Sequence, residues 1–136
     1  MERLDKRFCK NQTTCYIYGS GTWQEGLKFC DALHPNAIMI QEQSEDEGKQ
    51  HKHESVGAGY VAYWIAAICE GSGGLYDFYW AQSKRQLTFK RWRANQPDQD
   101  SAASNCVLVS KIEDWEWDDT DCSLEAMYMC SLNKMA

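Results

Sequence analysis

Seven cysteines in 136 residues constrain this chain more than any other feature. Cytosolic thiols are kept reduced and seldom accumulate without a metal or redox task, so this density points to an oxidising compartment and a cross-linked fold. A structural zinc site would use short paired spacings such as Cys-x-x-Cys, and the chain has none. The amino terminus, Met1-Glu2-Arg3-Leu4-Asp5-Lys6-Arg7, holds no apolar stretch and is not a secretory signal. Met1 therefore reads as a start residue placed before a mature secreted chain, and the sequon Asn11-Gln12-Thr13 fits that destination.

The length suits one domain, expected over residues 1–136, able to bury roughly two-thirds of its unfolded surface in one core. With 20 acidic and 14 basic side chains the net charge is -6, and that field repels phosphate backbones and anionic lipid alike. The longest apolar run, Tyr60 to Cys69, is about half of what a membrane-spanning helix needs. Six Trp, seven Tyr and four Phe supply ample core material.

Thr22 is placed to cap a helix whose apolar residues Trp23, Leu27 and Cys30 recur at helical spacing and which ends near His34-Pro35. Ala37 to Ile40 reads as a short strand. The capping pattern Ser44-Glu45-Asp46-Glu47 then starts a second helix that runs to about Glu54. Tyr60 to Ile68 reads as a buried strand, followed by a loop containing Gly71, Gly73 and Gly74. Short β segments are predicted at Phe78–Trp80, Leu87–Trp92, Cys106–Ser110, Trp115–Trp117 and Tyr128–Cys130. Helices first and strands later give an α+β class.

Between Trp92 and Cys106 the chain is almost wholly polar, and a long polar loop carried by strands is a usual place for function. Oxygen ligands gather there as Gln96, Asp98 and Asp100, and again at Asp118, Asp119 and Asp121. A bridge between Cys106 and Cys122 would bring the two acidic segments together, and crowded carboxylates either protonate or bind a cation. Hard oxygen ligands suit Ca²⁺. A solvated acidic turn at Asp118 to Asp121 is the other reading, and the acids alone leave both open. His51 and His53 alternate and so face different directions on a helix, which with Glu54 reads as a solvated charge cluster. The glycines at 71–74 lack the Lys-Ser/Thr of a phosphate loop, and no cysteine stands out as an activated nucleophile beside a histidine, so no enzyme activity is expected.

Cys15-Tyr16, the Trp23 to Cys30 helix, Trp64-Ile65-Ala66, Gln96-Pro97-Asp98, Cys106, Trp117-Asp118-Asp119, Cys122 and Cys130, in this order, resemble a C-type lectin-like domain over residues 9–132. The resemblance implies two helices flanking antiparallel sheets, with a long calcium- and sugar-binding loop and disulfide staples. It implies bridges Cys30–Cys130, Cys106–Cys122 and Cys9–Cys15, and leaves Cys69, beside the glycine-rich loop, for an interchain bridge in a homodimer. It places Gln96, Asp98, Asp118 and Asp119 around Ca²⁺, with Pro97 as a cis turn. The Gln-Pro-Asp triplet implies galactose or N-acetylgalactosamine, where Glu-Pro-Asn goes with mannose.

Two positions depart from the family pattern. Ser104 stands where many members carry a ligating Glu, and Asp100 is a candidate replacement. No Trp follows the triplet to stack on a sugar ring, which leaves Trp92 and Trp115 as the nearest aromatics, both expected to pack inward. The competing expectation is a lectin-like domain that binds protein or another non-sugar ligand without calcium.

Overall fold

The structure, a computed structural model, describes residues 14–70, 78–94, 96 and 104–133. Strand β1 (Thr14–Gly21) leads to helix α1 (Trp23–Leu33), strand β2 (Ala37–Met39), helix α2 (Glu45–Gly57) and strand β3 (Ala62–Glu70). These are followed by β4 (Tyr79–Trp80), β5 (Ser104–Ser110), a 3₁₀ turn at Lys111–Glu113, β6 (Trp117–Asp121) and β7 (Ala126–Asn133). The α+β class and the two helices are as the residues imply.

Both helices start on the caps that the sequence encodes. Glu25 N–H donates to Thr22 Oγ1 at 3.2 Å while Thr22 N–H donates to the Glu25 carboxylate at 2.8 Å, which satisfies two otherwise orphaned donors. Glu47 N–H donates to Ser44 Oγ, and Glu45, Asp46 and Glu47 complement the positive end of the α2 dipole. Helix α1 buries Trp23, Gly26 and Cys30 as one stripe. It lies so close to β7 that a Cβ on Gly26 would fall 2.6 Å from the Cβ of Tyr128. The Cys30–Cys130 disulfide, with 5.5 Å between Cα atoms, pins the same contact.

The strands form one sheet in the order β1-β7-β3-β5-β6, with β2 beside β7 and β4 beside β3. Neighbours are antiparallel except for a parallel contact of Tyr63 with Met127. Strand β1 pairs with β7 along its whole length, from Thr14↔Asn133 to Gly21↔Ala126. Tyr63 to Cys69 of β3 are all buried, which explains why this run does not alternate: both faces are covered. Two core indoles still find acceptors, Trp64 on Gly21 O and Trp23 on Ile65 O. The Cys106–Cys122 disulfide ties β5 to the end of β6.

Several local expectations are corrected. Leu87–Trp92 is not a strand but an irregular segment whose one bridge is Trp92↔Trp117, because Phe89 and Trp92 are held by ring contacts with Trp117 instead of a ladder. The Trp115–Trp117 strand starts only at Trp117, since Asp114 and Trp115 take left-handed φ values of 57° and 60°. Strand β1 was absent from the sequence expectation. Cys69, expected in an exposed loop and available to a second chain, lies inside β3 at 1% exposure, paired in register with Asn105. A buried thiol is not placed to bridge two molecules. Cys15 is buried and disulfide-bonded, and Cys9, its expected partner, lies outside the described residues.

Candidate calcium and carbohydrate site

Backbone pairing sets the chain that leads into Gln96 beside the start of β6, which carries Asp118 and Asp119. Trp117 N–H donates to Arg91 O at 2.8 Å and Arg93 N–H donates to Trp117 O at 2.9 Å, so the stretch 91–93 runs beside the start of β6. Gln96 N–H closes a turn onto Arg93 O. Gln96 therefore sits one tight turn beyond this pairing, and Asp118 and Asp119 follow it directly on β6. Asp119 is buried at 2% exposure and Asp118 is half-buried. Gln96 Oε1 is buried with no hydrogen-bond partner. An unpaired buried carbonyl oxygen costs about 1–3 kcal/mol, and a hard cation is the kind of group that would satisfy it. The amide oxygen of Gln96 and the carboxylates of Asp118 and Asp119 are donors of the type that fits Ca²⁺. Asp98, Pro97 and Asp100 lie outside the described residues, and the described residues alone form no group of three acidic, His or Cys side chains that could hold a metal ion. Beside the staple, hydrogen bonds from the backbone and then the hydroxyl of Ser123 hold the exposed Asp121 carboxyl below its usual range.

Beneath this pairing lies a polar hub that the sequence reading missed. Glu42 is fully buried and meets four donor groups. Its Oε1 accepts from Arg91 Nη1 and Trp117 Nε1, each at 2.9 Å. Its Oε2 accepts from the Tyr63 hydroxyl at 2.6 Å and lies 3.0 Å from His51 Nδ1. Burial pushes the Glu42 carboxyl up, but His51, by hydrogen bond and electrostatic attraction, with the bonds from Tyr63 and Trp117, outweighs it and holds the group below its ordinary range. Burial and then the Glu42 charge drive the Tyr63 hydroxyl up. Arg91 also donates from Nη2 to Trp115 O, and it reaches Glu42 across Gly48, where a Cβ would overlap its guanidinium. His51, expected in solvent, is 3% exposed. No strand alternation announces Glu42: the inward residues of β2 are Ala37 and Met39, and Glu42 has the parity of the exposed Ile38.

Residues 19–132 match the Lectin C-type domain. The chain belongs to the C-type lectin domain family. Human versican core protein is 29% identical over 132 residues, which is 93% of this chain but only 4% of versican. Salivary C-type lectin 1 of Aedes albopictus is 22% identical over 90% of this chain and 82% of its own length. Among solved structures, the carbohydrate-recognition domain of the mouse scavenger receptor C-type lectin superposes with a TM-score of 0.75 at 18% identity, covering 95% of this chain and 97% of that one.

The aromatics of this C-type lectin domain that stand nearest the candidate site are used inside the fold. Trp92 packs edge-on against Phe78 and Trp117. Trp115 stacks on Tyr63 and carries Lys52 Nζ 5.7 Å above its ring. Arg93 is half-buried among Glu113, Asp114 and Glu116, with its hydrogen bond to Asp114 the main reason its guanidinium is held yet more firmly protonated. No helix among the described residues is long and apolar enough to cross a membrane.

Proposed function

We propose that this C-type lectin domain binds galactose-type glycans through a calcium ion held by Gln96, Asp98, Asp118 and Asp119, with Asp100 available in place of the ligand that Ser104 does not supply. The orphaned, buried Gln96 Oε1 is the observation that carries this reading. The ion, when bound, offers coordination positions that vicinal sugar hydroxyls take in place of water. Asp98 then accepts a hydrogen bond from one hydroxyl while the Gln96 amide donates to another. That distribution of donor and acceptor is the reason for preferring galactose or N-acetylgalactosamine over mannose. The family's role as binding modules argues for recognition without catalysis, and the two disulfides suit an extracellular destination. A covalent dimer through Cys69 is not part of this reading.

Retention on immobilised galactose tests it. The protein should bind in calcium, elute with galactose and not with mannose, and pass straight through in excess chelator. Asp119→Asn, which keeps the buried shape and removes the charge, should abolish retention. Calcium affinity should be modest, on the order of the 0.1–1 mM of extracellular modules. Retention that persists in chelator overturns the proposal. A chain that binds neither calcium nor galactose fits the alternative of a lectin-like domain for a non-sugar ligand.

A further inference from the structure

The Glu42 hub touches none of the candidate calcium ligands, yet it joins the two segments that carry them. Arg91 and Trp117 belong to those segments and are already paired through their backbones. Glu42 Oε1 then accepts from the side chains of both at once. Arg91 adds a bond to Trp115 O, which fixes the left-handed turn just before β6. On its other side the same carboxylate is held by Tyr63 of β3 and His51 of α2, both buried. A carboxylate at this depth is costly unless fully paired, so the network has one well-satisfied arrangement and few alternatives.

We propose that Glu42, acting through Arg91 and Trp117, is a positioning residue for the candidate cation site: it sets residues 91–93 against β6, and so Gln96, one turn further on, relative to Asp118 and Asp119. This deepens the calcium reading above and rests on it. Groups that bond a metal's ligands directly change its affinity by about 10- to 100-fold when removed, and Glu42, one contact further out, belongs at the low end of that range. Gly48 belongs to the device, because the absence of a side chain there leaves room for the guanidinium on its way to Glu42.

Calorimetric titration with calcium chloride alone, on the whole chain, decides the matter with three variants. Glu42→Gln keeps the shape but loses the charge. Gly48→Ala pushes the flexible end of Arg91 away while improving helix propensity. Met39→Ala opens the same core at a fully buried residue not bonded to Glu42 and serves as the measure of general loosening. Glu42→Gln and Gly48→Ala should weaken calcium binding by about ten-fold or more, with Met39→Ala within about two-fold of wild type. The Trp117 indole N–H resonance gives a calcium-free readout: it should shift in Glu42→Gln and Gly48→Ala but not in Met39→Ala. In the wild type it should also move when calcium is added, so an unfolded variant would not remove the test.

Unchanged calcium affinity in Glu42→Gln and Gly48→Ala overturns the positioning role and leaves the calcium site standing. An equal loss in Met39→Ala, or a Trp117 signal indifferent to bound calcium, overturns it too. A wild type that takes up no calcium overturns the underlying site first, and the two failures are thereby told apart.

Discussion

Glu42 exchanges the hydration of a carboxylate for four protein partners, and the balance shows in its pKa. Because that pKa is lower in the folded chain than its ordinary 4.5, the group's stabilising contribution is fully present above that value and is lost as pH falls through the folded value. Urea midpoints measured from neutral pH downward should therefore drop steeply below about pH 4.5 in the wild type. Glu42→Gln, which cannot titrate, should show a shallower acid limb, and equal slopes would refute the role assigned to the charge. Tyr16 works in the opposite direction, burial and the charges of Glu54, Glu47 and Glu42 pushing it up to about 12, so its contribution is intact below its ordinary 10 and fades as pH rises from there through about 12. None of this was legible one residue at a time. Helical spacing says that His51 and His53 diverge, but not that His51 turns toward a buried acid nine residues earlier in the chain.

At the scale of elements, the local signals were strongest where the physics is local. Thr22 and Ser44 cap their helices through bonds that span three residues, and such bonds are encoded in sequence spacing. Gly26 shows the limit. In an isolated helix Gly→Ala gains up to about 1 kcal/mol, and here the propensity argument points the wrong way. The new Cβ would meet the Cβ of Tyr128, an atom fixed to the backbone of β7 and unable to swing aside. Overpacking of that kind costs about 1–3 kcal/mol, so Gly26→Ala should lower the denaturation midpoint, whereas a raised midpoint would show that α1 can lift off β7. The Leu87–Trp92 segment failed in the same manner: its aromatic composition suits a strand, but its rings are spent on Trp117 and its backbone on a parallel bridge.

For the whole molecule, the two described disulfides close very different loops, 100 residues for Cys30–Cys130 and 16 for Cys106–Cys122. On the chain-entropy model these are worth about 4.7 and about 3 kcal/mol, so removing the first pair should lower the melting temperature more than removing the second. A larger loss from the short loop would show that native strain or residual structure dominates. Cys69→Ser should leave non-reducing electrophoresis unchanged, since the thiol is inside β3; a dimer band that vanished in this variant would mean that β3 opens. What the residues determined by themselves was the class, the caps, the buried run of β3 and, through an ordered set of cysteines, tryptophans and acids, the family. The class, the caps and the buried run follow from periodicity, composition and short-range hydrogen bonds, which a linear sequence displays, while the family came from the resemblance of that ordered set to a known pattern. Only the tertiary structure decided that Cys69 is interior, that Trp92 and Trp115 face the core, and that Glu42, His51, Tyr63, Arg91 and Trp117 meet. Each of those depends on chain separations of 9 to 75 residues being closed by packing of the sheet, and no local pattern records which distant side chain will arrive.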